Sequence, residues 1–336
     1  MPPGDVLRQL GLEINGGKPH SSERHNYARS EMRMTTQKPI GFVGIGNMGA
    51  PMVRCLAKHG FKSVIFDVKA ETTAPFAREG GLFAVATDLP GLGAAVDVVV
   101  TMLPDSSIVR AAVMGSDAAP GLVQGLARGS VIVDMSSSFP PETQRLGKEL
   151  AERGIGLVDA PVSGGVPKAI TGTLAIMAGG ENVLIDRVEA IMKAMGTVYR
   201  TGPLGAGHAM KALNNYVSAA GLIATSEALV IGERFGLSPK VMNQILNAST
   251  GRNNTTENKV DRYMLSRAFN SGFALALMRK DVGMARELAV ALGISAAELD
   301  LVSGILDKAE ARLTVGADHT AVYQYVEDAA RPEARK

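Results

Sequence analysis

The chain has 336 residues, enough for two hydrophobic cores rather than one. Its 35 Lys and Arg balance 33 Asp and Glu to a formal net charge of +2, which leaves no electrostatic footprint for nucleic acid or an anionic membrane and makes a small molecule the expected partner. The single cysteine, Cys55, excludes an internal disulfide and has no companion cluster for a metal site, and no apolar run is long enough to span a membrane.

A reducing, cytoplasmic setting is the expectation, with Cys55 a small core residue on the apolar face of the first helix. Residues 1–37 carry Pro2, Pro3, a Gly16-Gly17 pair and mixed charge without sustained periodicity, and they read as a disordered leader. They lack the apolar centre of a secretory signal and are too acidic for an organellar transit peptide. Met32 or Met34 would each open a chain that enters the first strand at once.

Residues 40–60 read I-G-F-V-G-I-G-N-M-G-A-P-M-V-R-C-L-A-K-H-G: a short apolar strand, a glycine turn, then Met52, Val53, Leu56 and Ala57 at helical spacing. Gly44 permits the tight turn, Gly46 lets backbone approach a pyrophosphate, and Gly49 lets helix and strand pack closely, with the helix N-terminus aimed at the anion. The next strand, S-V-I-F-D over residues 63–67, ends in Asp67 about twenty residues on, where a contact to the ribose is expected. The alternative, a glycine loop tightening an ordinary β-α turn, does not account for that acid.

Residues 97–102 and 131–134 are further β-branched strands, each followed by helical spacing, so the sheet is expected to be parallel and doubly wound. Ligands of such sheets lie beyond the strand carboxyl ends, which puts Leu103-Pro104 and Ser136-Ser137-Ser138 on the cofactor side. Capping of a helix that starts at Pro140 explains the serines equally well. Within residues 156–180, two strand-like runs flank Ser163-Gly164-Gly165, whose small side chains and free N–H groups suit a bound carboxylate. A plain glycine turn is the competing reading.

Strands stop near Gly202 to Gly205, and one long helical pattern runs from there to Gly236. Helical spacing follows at 239–247, 273–292 and 320–330, with the methionines as core filler. The fold class is therefore α/β: an N-terminal doubly wound Rossmann-type sheet over residues 38–203, then an all-helical C-terminal domain over residues 204–331. On the long helix His208, Lys211 and Asn215 share one face. A lysine facing a cleft beside an oxidised nicotinamide would lose its proton near neutral pH and act as a base. The competing readings are a solvated surface lysine, and His208 as proton carrier rather than local hydrogen-bonding group.

With those segments in view, the chain resembles the β-hydroxyacid dehydrogenase family, whose members include 3-hydroxyisobutyrate dehydrogenase and tartronate semialdehyde reductase. The motifs that carry the resemblance are G-F-V-G-I-G-N-M-G-A-P-M, D-A-P-V-S-G-G, G-A-G-H-A-M-K-A-L-N-N and M-R-K-D-V, between Ile40 and about Leu292. It implies Lys211 as proton carrier assisted by Asn215, a carboxylate held by Ser163, Gly164 and Gly165, and a dinucleotide on Gly44, Gly46, Asn47, Met48, Gly49 and Asp67. Leu103, Pro104, Ser137 and Lys280 would line the nicotinamide. NAD is expected over NADP, because the Asp67 carboxylate repels a 2′-phosphate. Several relatives carry an aromatic residue after the Gly-Arg pair where this chain has Asn253 and Asn254, so Asn254 is expected to meet a polar distal end of the substrate. A homodimer or homotetramer is expected. The alternatives are a non-catalytic dinucleotide-binding regulator and an imine reductase-like enzyme, the latter usually without the lysine.

Overall fold

The computed structural model describes residues 38–330, so the leader reading lies outside the described residues. Among them nine strands form one sheet: β1 Ile40–Val43, β2 Ser63–Phe66, β3 Phe83–Val85, β4 Val98–Thr101, β5 Val131–Asp134, β6 Gly156–Asp159, β7 Val162–Ser163, β8 Leu174–Gly179 and β9 Gly196–Gly202. Six are parallel in the order β3-β2-β1-β4-β5-β6, the Rossmann arrangement. The strand order reverses between β1 and β4, the switch point at which sheets of this kind bind their ligands.

The period-two pattern of the strands explains why helices cover both faces. Phe42, Val100, Val133 and Val158 point to a core shared with Met52, Val53, Leu56, Ile185 and Met192. The alternate positions Val43, Val99, Ile132 and Leu157 point to a second core with Leu92, Val109, Leu146 and Leu150. Cys55 is buried in the first core, its Sγ 3.2 Å from the Ala169 carbonyl.

The sheet is not wholly parallel. β8 runs antiparallel to β6 and β7, and β9 then pairs parallel with β8. The reversal occurs because Gly164 (φ +130°) and Gly165 (φ +64°) turn the chain into a short helix, Gly165–Thr171, after only two residues of β7. Ser163-Gly164-Gly165 is thus a strand-to-helix corner rather than a turn between two strands.

Beyond β9 the regular elements described are helices, with one isolated antiparallel bridge between Ala274 and Asp318. The long helix Ala206–Phe235 is bounded by Gly205 (φ +92°) and Gly236 (φ +103°), both in the left-handed region that glycine adopts at no steric cost. Around it pack Pro239–Ala248, Asn254–Asn258, Leu275–Ala291, Ala297–Arg312 and Val322–Ala329, over a core that includes Leu222, Leu229, Met278, Val302 and Tyr323.

Candidate active site

The glycine turn has the shape its sequence demands. A Cβ on Gly44 would stand 2.3 Å from the Met102 carbonyl, and one on Gly49 only 1.9 Å from the Gly44 carbonyl, so neither site admits a side chain. A Cβ on Gly46, by contrast, would meet nothing within 4 Å, which leaves the space beside the turn free for a ligand. The helix Gly49–Lys58 that follows has Met48 at its N-cap and no capping side chain, while the Ala50 amide donates to the Gly46 carbonyl at 3.0 Å. Asn47 is exposed at the tip, and Met48 packs partly into the core. Asp67 closes the turn from β2: its Oδ2 accepts from the Ile45 amide at 2.7 Å and its Oδ1 from the Lys69 amide at 2.9 Å. These features fit a dinucleotide: open backbone for the pyrophosphate and a carboxylate where ribose hydroxyls lie.

At the neighbouring strand ends, Lys280 of helix Leu275–Ala291 reaches across to the sheet. Its Nζ donates to the Pro104 carbonyl at 2.7 Å and to the Ser137 carbonyl at 3.0 Å. Leu103, Pro104, Ser137 and Lys280 are thus brought together. The adjacent serines do not cap the helix that follows. Ser136 Oγ accepts from the Leu103 amide, Ser138 Oγ donates to Asp134, and the helix Pro140–Glu152 starts at Phe139 with no side-chain cap.

The start of the long helix is held by two buried carboxylates that face each other in register at the ends of β5 and β6. Asp159 accepts from the Gly205 amide at 2.7 Å and the His208 amide at 2.8 Å, pairing a negative charge with the positive helix end. Asp134 is bound by Thr101, Ser136 and Ser138. The imidazole of His208 lies between them, 3.6 Å from Asp134 and 3.7 Å from Asp159, with Thr143 Oγ1 2.8 Å from its Nδ1. Gly207 permits this docking, since a Cβ there would be 2.1 Å from the Met177 carbonyl. His208 is therefore built into the joint between helix and sheet.

One turn on, Lys211 is 8% exposed and its amine makes no hydrogen bond among the described residues. Burial drives its ammonium below the ordinary lysine range; Asp281 pulls it back, and Lys280 pushes it further down. A solvated surface lysine is excluded. Asn215, on the same face, donates through Nδ2 to Asp281 Oδ2 and accepts from Asn214. The second Asp281 oxygen is buried without a hydrogen-bond partner among the described residues and lies 3.8 Å from Lys280. Burial raises the Asp281 carboxyl, opposed by Lys211 and Lys280. An amine whose proton is loosened by burial, an oriented amide and a carboxyl group can together take a proton from a hydroxyl and return it.

Asp281, Asp134 and Asp159 were missed in the sequence. Asp281 carried a signal: it falls with Met278, Val282 and Ala285 on the buried stripe of its helix, where an acid is out of place. Among the described residues the other predicted ones are not hydrogen-bonded to the Lys211 group. Ser163, Gly164 and Gly165 form the corner described above, and Asn254 is exposed as the first residue of its helix; no hydrogen bond joins either to Lys211, Asn215 or Asp281 among the described residues. Asn253 spends its side chain as the N-cap of that helix, accepting from the Thr255 and Thr256 amides and donating to Thr225.

Sheet and glycine turn define a Rossmann-type dinucleotide-binding protein, and its relatives make it an oxidoreductase acting on CH–OH groups. Comparison with known proteins gives the family. Residues 39–204 match the model described as the NAD binding domain of 6-phosphogluconate dehydrogenase, and residues 205–326 match the NAD-binding region of NADP-dependent 3-hydroxyisobutyrate dehydrogenase. The chain is 37% identical over 249 residues to 2-(hydroxymethyl)glutarate dehydrogenase of Eubacterium barkeri, covering 74% of this chain and 81% of that protein. It is 35% identical over 263 residues to mitochondrial 3-hydroxyisobutyrate dehydrogenase of Mus musculus, covering 76% and 77%. The solved 3-hydroxyisobutyrate dehydrogenase of Mycobacterium tuberculosis with L-serine superposes with a TM-score of 0.79 at 30% identity, covering 87% of this chain and 99% of that one. The chain belongs to the β-hydroxyacid dehydrogenase family.

Proposed function

We propose that the protein oxidises a small β-hydroxyacid with a polar distal group, using NAD in preference to NADP, with Lys211 as the base. The observation that carries this reading is the buried, unbonded amine of Lys211 one turn from an amide that Asp281 holds in place. NAD, when bound, supplies the acceptor for the two electrons that leave the hydroxyl carbon as hydride. The chain's own residues do the rest. Neutral Lys211 takes the hydroxyl proton on Nζ, and in reduction the protonated amine returns it. Asn215 orients the hydroxyl, and Asp281 fixes Asn215 while keeping the charged lysine accessible. Ser163, Gly164 and Gly165 hold the carboxylate, and Asn254 meets the distal end.

For the dinucleotide, Gly44, Gly46, Asn47, Met48 and Gly49 receive the pyrophosphate and Asp67 the ribose hydroxyls, while Leu103, Pro104, Ser137 and Lys280 bound the nicotinamide. Residues 38–203 serve the cofactor, and residues 204–331 serve the substrate and assembly. The reading includes a cytoplasmic homodimer or homotetramer. Exposed Met210, Leu213, Val217, Ile231 and Phe235 recur at helical spacing on one face of the long helix, away from Lys211, which supports burial against a second copy. Among the described residues no helix is long and apolar enough to cross a membrane.

The test is a rate screen of hydroxyacids with NAD and with NADP. Turnover of a β-hydroxyacid with higher kcat/KM on NAD is the expected result. Equal efficiency with NADP contradicts the role of Asp67, and turnover of none contradicts the reading.

A further inference from the structure

Lys211 and Lys259 are the two lysines buried among the described residues. The chemistry proposed above uses the first and not the second. Lys259 is 9% exposed and joins the short helix Asn254–Asn258 to a single π turn, Val260–Met264, an irregularity frequent at functional sites. Its Nζ donates to Ser218 Oγ at 3.3 Å, and among the described residues it forms no ion pair. The carboxylate whose field reaches it, Asp318, is committed elsewhere. It accepts from Ser271 Oγ, from the Gly272 and Phe273 amides, and from both the amide and the hydroxyl of Thr320. Burial lowers Lys259 to about 8, so at neutral pH most of it is still an ammonium. A buried ammonium with one hydroxyl for company is costly unless an anion joins it.

The position of Ser218 says where that anion belongs. Ser218 lies seven residues beyond Lys211, two turns along the long helix and on the same face, with Asn215 between them. Lys259 therefore extends the catalytic stripe toward the end of the substrate opposite the reacting hydroxyl.

We propose that Lys259 is a specificity-determining residue that binds a second, distal carboxylate, making β-hydroxy diacids the preferred substrate class. The inference rests on Lys211 holding the hydroxyl. Seven residues of helix span about 10.5 Å. In a glutarate that carries a hydroxymethyl beside one carboxylate, six bonds at about 1.2 Å apiece, about 7 Å, part the hydroxyl oxygen from the distal carboxylate oxygen. With a charge-assisted hydrogen bond of about 2.8 Å at each end, that diacid spans the two turns without full extension. A substrate ending in methyl leaves the ammonium unpaired.

Two acids isolate the difference. 3-Hydroxyisobutyrate and 2-(hydroxymethyl)glutarate share the CH(CH2OH)COO− unit, and the methyl of the first is CH2CH2COO− in the second. With NAD, the wild-type protein should favour the diacid in kcat/KM by about tenfold or more. Lys259→Met should collapse that ratio by about tenfold or more, through KM for the diacid, and Lys259→Arg should keep part of it. A measurement free of turnover accompanies it: glutarate should raise the melting temperature of the wild-type protein more than butyrate does, and that excess should vanish in Lys259→Met. A wild-type preference for the monoacid, or an equal fall on both acids in Lys259→Met, overturns the proposal while leaving the dehydrogenase reading intact. Turnover of neither acid, together with a glutarate shift that depends on Lys259, overturns the dehydrogenase reading and keeps the anion site.

Discussion

At the cofactor end of the sheet the working groups are mostly backbone: the start of helix Gly49–Lys58, which no side chain caps, and the carbonyls of Pro104 and Ser137 that Lys280 grips. On the long helix they are side chains, and buried ones: Lys211, Asn215 and, across from them, Asp281. Backbone groups are fixed by the fold itself, so the sheet end needs glycines to keep side chains out. Buried side chains are fixed only by partners, so the helical end needs a chain of paired polar groups running from Asp281 to Asn215, and from Asp134 and Asp159 to His208. The first region should fail when something is added, and the second when something is removed.

The largest effect is expected from addition at the sheet. Gly49→Val would drive a Cβ into the Gly44 carbonyl, which is backbone and cannot swing aside, with the buried Phe42 ring next to it. NAD affinity by titration should be lost together with turnover. Ordinary NAD affinity would show that the turn is not built as described.

Next comes Asp281→Asn. The Asp281 charge favours the protonated form of Lys211, so its removal should lower the lysine further below its ordinary range. Oxidation needs the neutral amine, and its rate rises with pH as the proton leaves. The profile of kcat/KM against pH should therefore shift to lower pH, with a plateau about ten- to a hundredfold down because a weaker base accepts the proton. A midpoint that stays in place separates Asp281 from Lys211.

Asn215→Ala should be milder, about tenfold in kcat with KM nearly unchanged, because the amide orients the hydroxyl without carrying the proton. A large rise in KM alone would make Asn215 a binding residue instead.

The two regions also differ in how legible they were in the sequence. The glycine turn and Asp67 could be read directly, because the strand, the turn and the distant acid each require particular residue types at fixed spacing. Gly205 and Gly236 bounded the long helix for the same reason. Side-chain partnerships were legible only within one helix, where 3.6-residue spacing aligns Lys211 with Asn215. Asp281 lies 66 residues from Asn215, and no local pattern joins them. Asp134 and Asp159 looked like ordinary strand ends until β5 and β6 paired in register and faced them onto His208. The antiparallel β8 escaped notice because its apolar run suits a buried strand of either direction, and the two-residue β7 before it is too short for alternation to show.

The central claim is that the proton carrier belongs to the helical region and the dinucleotide to the sheet, so that one can be lost without the other. Lys211→Ala tests it on a single preparation, with turnover of a hydroxyacid measured beside NAD affinity by titration, and His208→Ala assayed in parallel. The expected result is turnover down by about two to four orders of magnitude with NAD affinity close to wild type. Wild-type-like turnover in Lys211→Ala, or a mild loss there beside a severe one in His208→Ala, would contradict the account.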